Sequence, residues 1–157
     1  MSDEQRIAKL SLDERLVIRR SADVEHERQV AIFDLLEENS FAPVAGYPGP
    51  FDLRLGIEDN RLVLDLRGLD EATLERIMLP LAPFRGIVKD YFLICESYYS
   101  AIKRASAAQI EAIDMGRRGL HNEGSELLRE RLADKVAVDH NTARRLFTLL
   151  CVLHIRG

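Results

Sequence analysis

The stretch FDLRLGIEDNRLVLDLR, residues 51–67, decides the fold class. Phe51, Leu53, Leu55 and Ile57 recur at every second position, and so do Leu62, Leu64 and Leu66. A period of two is that of a strand with one buried face. Glu58, Asp59 and Asn60, between the two runs, supply turn chemistry, so the segment predicts a β-hairpin. A two-stranded sheet is marginal alone, which favours a third strand at residues 73–79 and a meander. The alternative there is a short helix capped by Asp70 and carrying Leu74, Ile77 and Met78.

Outward from the hairpin, the chain becomes helical. Before it, NSFAPVAGYPGP (39–50) reads as a loop, because Pro48, Gly49 and Pro50 interrupt any regular element. Upstream, Val24, Ala31, Ile32 and Leu35 form the stripe of a helix capped by Ser21 or Asp23 and ending near Asn39. RIAKLSL (6–12) and RLVIRR (15–20) read as extended, and Met1 to Gln5 are expected to fray. After the hairpin, Pro83 suits a helix start. Phe84, Ile87, Val88, Tyr91, Cys95, Tyr98 and Ile102 follow at helical spacing. Ser106 and Gln109 form a capping box that opens a helix reaching Leu132. KVAV (135–138) is a short extended link, and Asp139 caps a last helix with Ala143, Leu146, Phe147, Leu150 and Leu153 inward. The expected fold is α+β in a single domain, residues 1–157. A small antiparallel sheet, hairpin or three-stranded meander, packs with about four helices, and the C-terminal half is helical.

The formal net charge of -4 disfavours nucleic acid as a partner. Cys95 and Cys151 lie in apolar helical patterns without metal-ligand spacing, as buried reduced thiols do. Residues 1–10 lack the layout of a signal peptide, and LFTLLCVLHI (146–155) is too short to cross a bilayer. These features predict a cytoplasmic protein without membrane partners. No metal-binding, P-loop, dinucleotide or nucleophile-elbow motif is present, so no cofactor or metal is expected.

One segment carries chemistry: DMGRRGLHNEGSE, residues 114–126. Advancing 100° per residue along a continuous helix puts Ile110, Ile113, Leu120, Leu127 and Leu128 on one face. Arg117 and His121 fall on that same face, Asp114 at its edge, and Arg118 and Ser125 just beyond. Gly116, Gly119, Glu123, Glu126 and Glu130 fall outside. A buried arginine needs a partner, and Asp114 is in row with both Arg117 and His121, so a structural network is one reading. The other is an anion site: Arg117 and Arg118 as forked donors, His121 as a switchable charge and Asn122 as an amide. In a catalytic version His121 is the general acid or base, Asp114 orients it, and Glu123 is a spare carboxylate. The glycines leave open a break near Gly119, with Asn122 capping a second helix.

The blocks VEHERQVAIFDLLEENSFAP (24–43), IVKDYFLICESYYSAI (87–102), IEAIDMGRRGLHNEGSELLRERL (110–132) and TARRLFTLLCVLH (142–154) resemble an uncharacterised family of small bacterial proteins. The resemblance covers most of the chain. It implies a bacterial cytoplasmic single-domain protein and no assigned activity, cofactor or catalytic residue. Three functional classes follow from the residues. The first is a non-catalytic binding or regulatory protein, with a protein partner or a second copy of itself as candidates. The second is a small enzyme acting on a phosphorylated or anionic metabolite. The third is an RNA-contacting factor using Arg117, Arg118, Arg144 and Arg145, which the acidic balance disfavours.

Overall fold

The computed structural model describes residues 4–13 and 22–154. The extended reading of residues 15–20 and the cap at Ser21 lie outside them. In chain order the elements are β1 (Ile7–Leu12), α1 (Ala22–Glu37), β2 (Phe41–Pro43), β3 (Phe51–Glu58), β4 (Arg61–Gly68) and β5 (Thr73–Pro80). A 3-10 turn (Ala82–Phe84), α2 (Arg85–Arg104), α3 (Ala107–Leu132), β6 (Val136–Val138) and α4 (His140–His154) follow. The class is α+β.

The hairpin forms as its alternation dictates. Glu58 pairs with Arg61, leaving Asp59 and Asn60 as a two-residue loop, both at positive φ, 51° and 59°. That backbone matches the twist of the flanking strands, and Asp and Asn are among the few side chains that tolerate it. β5 completes the antiparallel meander, so residues 73–79 are strand and not helix. Leu53, Leu55, Leu64, Leu66 and Ile77 face the core from one side of the sheet.

Two features depart from the expectation. The sheet is mixed, because β1 pairs parallel to β3 in the order β1-β3-β4-β5. Parallel neighbours need a long crossover, and α1 with the loop after it provides one. Asn39 fastens this crossover: its Oδ1 accepts from the Ile7 amide at 2.7 Å, and its Nδ2 donates to the carbonyls of Ile7 and Leu35. The loop 39–50 also contains a strand. β2 pairs antiparallel with β6, Phe41 opposite Val138, in a separate two-stranded sheet. The Phe41 amide donates to the Gln5 carbonyl at 2.8 Å and Gln5 Nε2 to the Tyr47 carbonyl, so Gln5 is tied down and does not fray.

The helices add Leu35 of α1, Val88 and Tyr91 of α2, Leu128 and Leu132 of α3, and Phe147 and Leu150 of α4 to the same core. Ile102 is the exception on α2: it is exposed. Ser106 and Gln109 close the capping box reciprocally, at 3.3 and 3.1 Å. Asp139 Oδ1 accepts from the Thr142 amide at 2.8 Å and caps α4. α3 is one continuous helix through its three glycines. Its buried stripe is His121, Gly124, Ser125, Leu128 and Leu132, which moves Ser125 from just beyond the apolar face to its centre and adds Gly124. The cause is Phe147 of α4, whose ring lies where a Cβ on Gly124 would stand.

The two glycines therefore respond oppositely to the same change. Gly119 has open space around the Cβ position. Gly119→Ala is expected to stabilise by up to about 1 kcal/mol through helix propensity. Gly124→Ala is expected to destabilise by about 1–3 kcal/mol, since Phe147 must move. Urea melts of the two variants check this; a neutral Gly124→Ala would refute the close approach.

Candidate functional site

α1, α3 and α4 enclose a cleft of about 410 Å³. α3 brings Arg117, Arg118 and His121 to it, α4 brings Arg144, Arg145 and Thr148, and α1 brings His26, Glu27 and Asp34. Tyr91 of α2 also lines it.

Arg117 is held on three sides. Its Nη2 and Nε both reach Asp114 Oδ1, at 2.6 and 3.1 Å, and its Nη1 lies 3.8 Å from Glu27 Oε1. The guanidinium carbon stands 4.6 Å from the Tyr98 ring centroid, a cation–π distance. Tyr98 is thus a stacking platform for the guanidinium. Burial is the largest single influence and opposes the Arg117 charge, but the Asp114 hydrogen bond and the surrounding negative charges together outweigh it and raise the pKa. Arg118 Nε sits 3.2 Å from Asp114 Oδ2. Asp114 therefore serves two arginines, and its hydrogen bond from Arg117 lowers its pKa.

His121 is not oriented by Asp114, which corrects the proposed acid–base pair. Its Nε2 lies 2.7 Å from Thr148 Oγ1, and the Thr148 hydroxyl donates to the Arg144 carbonyl at 3.2 Å. The Ser125 hydroxyl donates to the His121 carbonyl at 2.6 Å and lies 3.4 Å from Nδ1. This network assigns the proton to Nε2, donated to Thr148. The ring also meets Tyr91 and Phe147, with centroids 5.4 and 5.3 Å away. Burial, reinforced by the positive charges of Arg144, Arg117 and His140, pushes the pKa down to about 4. His121 is thus neutral near pH 7 and part of the α3–α4 seam.

Asn122 and Glu123 are exposed and do not line the cleft, because they follow His121 around the helix onto its solvent side. In the sequence reading Arg144 and Arg145 enter only as candidate RNA contacts. Both line the cleft, and neither has a carboxylate partner among the described residues. Arg145 Nη1 reaches only the Asn141 carbonyl, at 3.4 Å. Arg144 Nε is buried and makes no hydrogen bond. The contributions of α1 and Thr148 went unseen, since they depend on how distant segments pack. Among the described residues, no group of three His, Cys, Asp or Glu could hold a metal ion, and no helix is long and apolar enough to cross a membrane.

The depressed His121 pKa sets a pH dependence. The unfolded state, with a pKa of 6.5, binds a proton that the folded state refuses until about pH 4. Stability contributed by the neutral ring is present above pH 6.5 and is lost as pH falls toward 4, by about 3 kcal/mol in all. The stability gap between the wild type and His121→Gln is therefore expected to narrow from pH 7.5 to pH 4.5 in parallel urea melts. A gap that stays constant would show that the ring is not buried neutral.

The profile of an uncharacterised protein family, UPF0262, matches residues 4–156. A UPF0262 protein of Paramagnetospirillum magneticum is 62% identical over 157 residues, the whole of both chains. One from Rhodospirillum rubrum is 59% identical, covering 100% of this chain and 97% of its own. One from Azorhizobium caulinodans is 61% identical, covering 97% of this chain and 95% of its own. No solved structure matches the chain.

Proposed function

The chain belongs to the uncharacterised protein family UPF0262, and on that footing we propose that it is a non-catalytic binding protein for a small anionic molecule held between α1, α3 and α4. One observation carries the reading. Arg144 and Arg145 line a cleft without a carboxylate partner among the described residues, and the buried Nε of Arg144 makes no hydrogen bond. A guanidinium in a cleft with no carboxylate beside it leaves its outer forked donors for an anion's oxygens. Arg118, half-committed to Asp114 at the rim, adds a third positive group. Arg117 is braced by Asp114 and Glu27 and fixes the shape of the wall.

Binding is favoured over catalysis because both ring nitrogens of His121 already face protein hydroxyls. A general base needs a free nitrogen within reach of substrate. The lining comes from one chain, so binding is expected to be independent of protein concentration, with or without a homodimer. A cytoplasmic setting accords with the free, buried thiols of Cys95 and Cys151.

Inorganic phosphate is the simplest probe. At 100 times its Kd it is expected to stabilise the protein by about 2.7 kcal/mol, which moves the Tm of a domain this size by roughly 5–10 °C. The double variant Arg144→Ala/Arg145→Ala is expected to lose the shift while remaining folded by circular dichroism. If phosphate, sulfate, citrate and free amino acids all leave the wild-type Tm unchanged, the reading fails.

A further inference from the structure

The α1 wall of the cleft carries two carboxylates, Glu27 and Asp34. Asp34 on α1 is half-buried and lines the same cleft. Its carboxylate makes no hydrogen bond or ion pair among the described residues; only its backbone carbonyl is used, by the Glu38 amide at 3.3 Å. Glu27, by contrast, accepts the Tyr99 hydroxyl at 2.7 Å and faces Arg117. The cleft thus holds an unpaired carboxylate on one wall and two arginines without carboxylate partners on another. Opposite charges in one cleft attract, yet here they do not meet.

We infer that the ligand is zwitterionic: a free amino acid, or a metabolite of the same build, whose carboxylate takes the α4 arginines and whose protonated amine takes Asp34. This rests on the binding reading above and narrows it. A simple anion would be repelled by Asp34, at a cost that grows as water leaves the site. A zwitterion meets both poles at once. The planar guanidinium fork suits a carboxylate, with two parallel hydrogen bonds. The ammonium group offers three donors, and Asp34 offers unused acceptors. A space of about 410 Å³ suits a small metabolite, since ligand pockets run from about 300 to 1,000 Å³. Val30 and Ala31 between the acidic residues of α1 give a side chain an apolar surface to lie on.

Calorimetric titration of the full chain tests this with the twenty free amino acids, their N-acetyl derivatives and inorganic phosphate as probes. At least one free amino acid is expected to bind, and N-acetylation, which removes the ammonium charge, is expected to weaken it at least tenfold. Asp34→Asn is expected to weaken the free amino acid by a similar factor and to leave phosphate binding within about twofold of wild type or tighter. Asp34→Asn also serves as a folding control, because an isosteric amide disturbs the helix little. If N-acetyl derivatives bind as tightly as free amino acids, or phosphate binds and no amino acid does, the zwitterion is refuted and the anion site stands. If phosphate fails as well, both readings fall.

Discussion

The absence of a side chain at Gly124 lets α3 and α4 approach closely enough for the Phe147 ring to lie against the backbone. Everything at the floor of the cleft depends on that separation. One turn earlier on α3, His121 reaches Thr148 across the same seam. Beside it, Ser125 turns its hydroxyl back to the His121 carbonyl, so two polar side chains sit in the interface without an unmet donor. A wider seam would leave the imidazole without its threonine, and a buried polar group without a partner is costly. Close packing and polar satisfaction here are one constraint.

The arginines lining the cleft divide by element. Those of α3 have carboxylates within a helical turn, and Asp114 serves both. Local pairs of this kind form wherever the side chains are in row. Those of α4 have no acidic residue at such spacing in His140–His154, and the acids of α1 that share their cleft do not pair with them. With those charges unmatched, no ion pair would have to break before a ligand entered.

Much of this architecture was legible where a short-range rule applies. The hairpin followed from alternation alone, the capping box from Ser106 and Gln109, and the α4 core stripe from helical spacing. Illegibility has physical causes too. β2 is three residues inside a proline-rich loop, and its partner β6 lies near the other end of the chain. Gly124 and Ser125 score as poor core residues, yet close packing of two helices selects for small ones. Asp114 is in row with both Arg117 and His121, but a guanidinium is a stronger claimant than a neutral imidazole. For the cleft, the pattern around Arg117 pointed to one wall; the α1 and α4 walls required the tertiary arrangement.

The Asn39 clamp and its neighbour Ser40, whose amide donates to Thr142 Oγ1 at 3.0 Å, join the first helix both to the first strand and to the last helix. The first and last helices also form two of the three walls of the cleft. During synthesis, α1 leaves the ribosome long before α4 exists, so the packing of α1 on α4 waits until the chain is nearly complete. High sequence separation of this kind slows folding. On the proposed binding reading it would also make ligand competence all-or-none, since a chain truncated before α4 would lack Arg144 and Arg145. Occupancy of the cleft would therefore report completion of the fold, and a bound metabolite would hold the two ends of the chain together.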